Sequence, residues 1–341
     1  MKEETTTSSS ATSAGRRTVL KGFAGAAALA GMGHSAFAQQ AKEAPTLGKL
    51  VADGKLPALA QRLPASPLVV QAEKVGVYGG ALRRGLRGSA DHNGILRMVG
   101  NQGLVRWNLA FTEVLPGVAE KWDVNATSTE FTFYLRKGMK WSDGKPFTAD
   151  DVVFSIEECA KNPELYKSVP STLVIANKPA QVVKIDDSTV KFTFATPYAM
   201  FLEQLATPLG QYPTLFPKHY CSQFHPKYNS EVTDMTELLN RYNSTSRMQY
   251  ADMPTFAAWM VTDYVPGERV SLERNPYYWK VDIAGNQLPY ADKVVLQNVG
   301  DTEGLVLKAL AGEIDFQHQE WFEGAVNYPV LKQNEQRGGY K

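Results

Sequence analysis

A chain of 341 residues exceeds one average domain and has room for two or three. Hydrophobic residues are 43% of it and finely mixed charged residues 21%, a balance that builds a sizeable core and excludes a chain disordered throughout. Residues 1–38 hold four bases (Lys2, Arg16, Arg17, Lys21) and two acids (Glu3, Glu4), so the formal net charge of +1 leaves 32 bases and 33 acids over the rest, and no general electrostatic attraction to nucleic acid operates.

The first 15 residues are polar and rich in Ser and Thr. Gly15-Arg16-Arg17-Thr18-Val19-Leu20-Lys21 follows, then a gentle apolar run that ends in Ala36-Phe37-Ala38. Small residues at the −3 and −1 positions of a cleavage site make residues 1–38 an export signal, and the paired arginines give it a twin-arginine character. Gly15 and Val19 depart from the usual flanks of that pattern, which leaves an ordinary secretory signal as the alternative. The run from Gly22 to Ala38 is short and weak for a membrane anchor. The expected destination is the periplasm.

Residues 39–76 carry Pro45, Pro57, Pro64 and Pro67, a spacing read as an extended arm lying on the folded body, with one short helix at Ala58–Arg62. Gly79-Gly80 turns the chain into a first strand that reaches Leu86. Leu104, Val105 and Trp107 are the expected buried anchors of the next stretch. Phe131, Phe133 and Leu135 alternate with Thr132, Tyr134 and Arg136, the period of a half-buried strand. Asp143-Gly144 is a turn signal, and Thr148 stands three residues before Asp151, a capping-box spacing that opens a helix from Ala149 to about Lys161. Asn162-Pro163 ends it. A hairpin follows, with Val182, Val183 and Ile185 on one strand and Val190, Phe192 and Phe194 on the other. Ala199–Leu205 is a short helix. Two more strands are expected around Val270–Glu273 and Lys293–Gln297, then an amphipathic helix at Glu303–Ala311 and a strand starting at Ile314-Asp315-Phe316. The two cysteines, Cys159 and Cys221, are read as buried free thiols rather than a disulfide framework.

Strands and helices in irregular order indicate a mixed α/β (α+β) protein. The run Ala119-Glu120-Lys121-Trp122, continued by Glu130–Ser155, resembles the bacterial extracellular solute-binding proteins of family 5, the peptide and nickel type of ABC importer binding protein. Leu272–Trp279, Gln287-Leu288-Pro289-Tyr290 and Leu310–Asp315 agree with it in order, so the resemblance covers about residues 77–320. It implies a periplasmic-binding-protein-like fold of type II, in the large cluster-C-like form with an extra subdomain. The implied divisions are 77–110 and 205–315 as one lobe, 111–204 as the added subdomain, and 316–341 as the start of a second lobe. Only 26 residues follow Asp315, too few for a lobe, so the chain is expected to be part of a longer binding protein with one sheet edge unpaired.

The resemblance further implies a protein that captures oligopeptides or short oligosaccharides between two lobes, delivers them to ABC permease subunits in the inner membrane and is a monomer when complete. A nickel- or other small-solute importer component is the alternative within the class, and an exported hydrolase the alternative outside it. No nucleophile elbow, zinc-protease motif or phosphate loop is present, so neither catalysis nor a cofactor is expected. Candidate cleft residues are Asp91 and Asn93, in the polar Asp91-His92-Asn93 stretch after the first strand, then Trp107, and Gln211 and Tyr212 just after a glycine near the lobe crossover. Trp122, Phe131, Phe133, Arg136, Trp141, Asp143, Gly144, Thr148 and Asp151 are expected to be scaffold. His219, Cys221 and His225 have the chemistry of metal ligands, but their spacing fits no closed zinc pattern.

Overall fold

The computed structural model describes residues 42–88, 91, 102–242, 249–317 and 324–340. The export segment, His92 and Asn93 lie outside the described residues. The arm begins with an eight-residue helix, α1 (Pro45–Ala52), which the sequence reading missed. Proline breaks a helix interior, but Pro45 occupies the first turn, where its missing N–H costs nothing. A one-turn helix, α2 (Leu59–Arg62), and a two-residue strand, β1 (Leu68–Val69), complete the arm. Arg62 is fully buried and fastens the arm to the body: Nε donates to the Pro57 carbonyl at 2.9 Å and Nη1 to Gln287 Oε1 at 3.1 Å, with further bonds to Glu43 and the Pro276 carbonyl.

The first strand of the body is β2 (Ala81–Leu86). A hairpin of β3 (Val105–Trp107) and β4 (Val114–Pro116) follows. Next come β5 (Ala119–Val124) and β6 (Glu130–Leu135), whose alternation of half-buried and buried residues is the period-two pattern of the sequence. The Thr148 capping box forms as expected: the Thr148 N–H donates to Asp151 Oδ2 at 2.9 Å, and α3 (Ala149–Val153) starts there. The helix continues to Ala160 in the wider π form. A small hairpin, β7 (Val174–Ile175) with β8 (Lys178–Pro179), precedes the longer β9 (Gln181–Asp186) and β10 (Thr189–Thr193). Short helices α4 (Phe201–Leu205), α5 (Lys218–Cys221) and α6 (Thr236–Tyr242) follow, with a 3₁₀ turn at Pro208–Thr214 between the first two.

The last part holds β11 (Trp259–Val265), β12 (Arg269–Arg274), β13 (Lys280–Val281), β14 (Lys293–Asn298) and α7 (Thr302–Leu310). β11 was not anticipated; its residues are half-buried or exposed with no clean alternation, so no period announced it. The helices α8 (Gly324–Gln333) and α9 (Glu335–Gly338) close the described chain. Gly339, with φ of 69°, ends α9 in the left-handed cap that glycine adopts freely.

Two sheets organise these elements. One is antiparallel, in the order β5-β6-β10-β9; the other is mixed, β11-β12-β14-β2, with β14 and β2 parallel. The first sheet buries Phe131, Phe133, Phe192 and Phe194 around Phe201, with centroid separations of 4.8 Å for Phe131–Phe201 and 4.7 Å for Phe194–Phe201, both edge-to-face. Each such pair adds about 1 kcal/mol to simple area burial. Trp141 stacks on Phe256 at 4.0 Å and is 1% exposed, so it is core, as is Phe133; Trp122 packs half-buried on the same cluster. The mixed sheet has its own smaller core of Leu86, Val270, Leu272, Val294 and Leu296. A third cluster holds Phe154, Cys159, Phe216 and Cys221, where both thiols are buried and neither is in a disulfide.

Candidate functional site

The carboxyl ends of the parallel strands β2 and β14 open on one side of the mixed sheet. The loop leaving β2 places Asp91 there: its N–H donates to the Gly88 carbonyl at 3.1 Å and its carboxylate accepts the Arg87 N–H at 3.3 Å. Arg87 in turn reaches Thr302 Oγ1 at 3.3 Å, in the first turn of α7, which Asp301 caps through the Gly304 N–H at 2.8 Å.

Segment 312–317, after α7, returns along the free edge of β2. The expected strand at Ile314–Phe316 is not formed, because only part of a ladder exists. The Asp315 N–H donates to the Arg83 carbonyl at 3.0 Å, and the Gln317 side chain supplies the rest, accepting from the Gly85 N–H at 3.2 Å and donating to its carbonyl at 3.3 Å. The Arg83 guanidinium forks onto Asp315 at 2.9 and 2.7 Å, and this hydrogen-bonded pair holds the Asp315 carboxyl below the usual carboxylate range. A cavity of about 550 Å³ lies next to the segment, between α7, α8 and α9, with Phe316, Gln317, Tyr328, Lys332 and Tyr340 in its wall. Sequence reasoning offered none of these five as a site residue; their position after the Leu310–Asp315 motif was the available signal.

The β3–β4 hairpin presents Trp107. Its ring is half-buried and lies 6.4 Å from Phe111, which is 74% exposed, beside Leu109 at 97% exposed. The hairpin rests on main chain rather than on side chains. A Cβ on Gly117 would fall 2.5 Å from the Gly103 carbonyl oxygen, and one on Gly210 would fall 2.1 Å from that of Leu205. Thr214 Oγ1 donates to the Gln102 carbonyl at 2.7 Å, so the 3₁₀ turn that holds Gln211 and Tyr212 is tied to the base of the hairpin. Trp107, Gln211 and Tyr212 thus share a region of the fold. The Tyr212 ring is packed edge-on against Tyr166 at 5.4 Å, and burial pushes its hydroxyl up. Asp91 sits apart from these three on the β2 loop, and Asn93 lies outside the described residues.

The motif residues have structural partners. Asn275 is fully buried; its side chain donates to the Ala257 carbonyl at 2.9 Å and accepts the Tyr277 N–H at 2.8 Å. Gln287 donates to the Pro276 and Tyr278 carbonyls at 3.0 and 2.9 Å. Arg136 donates to the Gly117 and Ser66 carbonyls at 2.8 and 2.7 Å. Gly144 turns with φ of 83° under Tyr277, whose hydroxyl would stand 2.7 Å from any Cβ there. His219 Nε2 and Asp143 Oδ2 are 2.7 Å apart; burial pushes the Asp143 carboxyl up, but the His219 bond and the Lys145 N–H bring it below its ordinary value. His225 instead accepts the Lys227 N–H at 3.1 Å and Cys221 bonds Tyr242 at 3.3 Å, so the three possible ligands face different partners. Among the described residues no group of three or more His, Cys, Asp or Glu could hold a metal ion, and no helix is long and apolar enough to cross a membrane.

The profile of the bacterial extracellular solute-binding proteins, family 5 Middle, matches residues 113–335. The chain belongs to this family. The family 5 chain is 32% identical over 300 residues to the periplasmic alpha-galactoside-binding protein of Rhizobium meliloti (strain 1021), covering 82% of itself and 42% of that protein. It is 34% identical to the dipeptide-binding protein of Escherichia coli (strain K12) over 43% of itself and 30% of that protein. Its backbone matches a solved oligopeptide-binding protein OppA with a TM-score of 0.81 at 39% identity, over 89% of this chain and 49% of that one. A second match is MelB of Agrobacterium fabrum C58 in complex with stachyose, with a TM-score of 0.70, 31% identity, and coverage of 86% and 45%. The fold is therefore the mixed α/β fold of periplasmic binding proteins, and the family 5 chain spans less than half the length of these relatives.

Proposed function

We propose that this family 5 chain supplies part of the solute-binding component of an ABC importer, capturing oligopeptides or short oligosaccharides in the periplasm for permease subunits in the inner membrane. The observation that carries the reading is the backbone match to OppA over nearly all of the chain, together with a match of similar extent to a stachyose-bound protein. In this reading the fold is the large cluster-C-like form of type II. Residues 77–110 and 205–315 form one lobe, 111–204 the added subdomain, and 316–341 lead into the second lobe. Binding is reversible and involves no covalent step. Asp91, Trp107, Gln211 and Tyr212 line the cleft from this side; Asn93, the remaining candidate, lies outside the described residues. The exposed Phe111 ring beside Trp107 suits either ligand class, since aromatic faces stack on sugars and pack on peptide side chains.

Isothermal calorimetry against tri- to pentapeptides and against stachyose tests the proposal. The expected result is saturable binding to one panel, unchanged ligand on recovery, and at least tenfold weaker binding for Trp107→Ala. Binding to neither panel, or conversion of either ligand, overturns it.

A further inference from the structure

Two cations from distant parts of the sequence meet at one indole, and a third acts on both through its field. Lys280, on β13, places Nζ 4.8 Å from the centroid of the Trp279 ring, and Arg136, at the end of β6, places Cζ 5.7 Å from it. The fields of both Arg106, on β3, and Arg136 act on Lys280. Arg136 spends its hydrogen bonds on two neutral carbonyls, and Glu120 reaches it only through its field. Arg106 Nε is buried without an acceptor among the described residues, and its Nη1 has only a 3.5 Å contact with the Trp107 carbonyl. Lys280 Nζ faces the rings of Tyr278 and Trp279 and forms no ion pair among the described residues. Trp279 is 1% exposed and its indole N–H also lacks an acceptor among the described residues.

Buried donors are almost always satisfied, and buried like charges are costly unless a counter-charge joins them. Here Arg136 is buried and Arg106 and Lys280 are half-buried, the Nε atom of Arg106 is shut off from solvent, and Arg106 and Lys280 hold donors to spare. We propose that a monovalent inorganic anion of halide size sits among Arg106, Arg136 and Lys280 and serves as their structural counter-ion. The walls decide its size and charge. Tyr278, Trp279 and the neighbouring Leu288 are apolar or aromatic parts of the main core, so few donors are at hand to replace the hydration of a phosphate or sulfate. A weakly hydrated single charge is the occupant such a site accepts. The anion would join the β3 hairpin, the β6 end and β13 at one point.

Two measurements on the same protein test this. In the first, chloride replaces methanesulfonate at constant ionic strength while thermal unfolding is followed. The native protein is expected to show a saturable rise in Tm of several degrees, and Lys280→Met none. In the second, crystals grown in bromide are examined for anomalous scattering, with a peak expected in contact with Lys280 Nζ and Arg106. Arg106→Met, which removes a different cation, should weaken the chloride response as Lys280→Met does, so a folding defect peculiar to one variant does not decide the matter. An absent peak, or a chloride response equal in native protein and both variants, overturns the proposal. So does a peak without a saturable Tm response, which marks an adventitious ion only.

Discussion

The Asp151 carboxylate holds the Lys218 N–H at 2.9 Å through Oδ1 while its other oxygen closes the turn at Thr148. One buried side chain therefore starts α3 and fixes the first residue of α5, far along the chain. Asp151→Ala is expected to cost about 2–3 kcal/mol, a lost cap plus a lost charge-assisted bond. Chemical denaturation measures this, and Thr148→Ala, which removes the cap alone, should cost about 1 kcal/mol. Equal losses for the two variants would deny Asp151 its second role.

Arg62 fastens the N-terminal arm through Glu43, Gln287 and two carbonyls. Arg62→Met strands these groups in a buried place, and a loss of about 3 kcal/mol is expected. Limited proteolysis should then cut between α1 and α2, around Gly54 and Lys55, well before the body unfolds. A variant cut no faster than the native protein would show that the arm is held by its apolar contacts alone.

Gly144 combines a left-handed backbone with Tyr277 pressed against the place of a side chain. Gly144→Ala is expected to lose about 1–2 kcal/mol, read by urea unfolding. In contrast Gly267, with φ of 75° and open space around it, should lose only the conformational part, about 1 kcal/mol, on the same substitution.

Lys280 titrates far below an ordinary lysine. Burial is the main cause, and the fields of Arg106 and Arg136 add to it, bringing its pKa from 10.5 to about 8. Glu120 is the acid whose field reaches this group of cations, through Arg136. In chloride-free solution the unfolded chain binds more protons than the folded one between about pH 8 and 10.5, so stability should rise with pH across that window. Below about pH 8 the penalty is present in full. Lys280→Met should remove this rise, and the difference between the two unfolding profiles isolates it from the tyrosines. Identical profiles would place Lys280 at an ordinary pKa.

Local signals carried most of what was legible. The Thr148–Asp151 spacing, the alternation from Phe131 to Leu135 and the Asp143-Gly144 turn each depend on neighbours a few residues away, and each forms. The arm helix α1 was lost because Pro45 was weighed as a breaker without asking which turn it occupied. β11 was lost because Trp259–Val265 has no buried face to give it a period. The strand expected at Ile314 failed because its partner positions on β2 are filled partly by the Gln317 side chain. Of the candidate cleft residues, Gln211 and Tyr212 were proposed from loop position and Trp107 as a large ring among the expected anchors, and the Thr214 bond to the Gln102 carbonyl ties the turn of the first two to the base of the hairpin that carries the third. The approach of Arg136 and Lys280 to Trp279 was invisible, since nothing in a linear sequence brings distant cations to one indole.

The glycines beneath the β3–β4 hairpin carry a consequence for how such a protein can change. Gly103, Gly117 and Gly210 let peptide planes touch directly, so the seat of the hairpin is built from atoms that every residue type shares. The exposed Leu109 and Phe111 side chains at its tip stand outside this close packing of the base. The tip can therefore exchange residues, and with them the molecules it suits, while its base stays in register. Variation in taste is mechanically separated from the foundation that aims it.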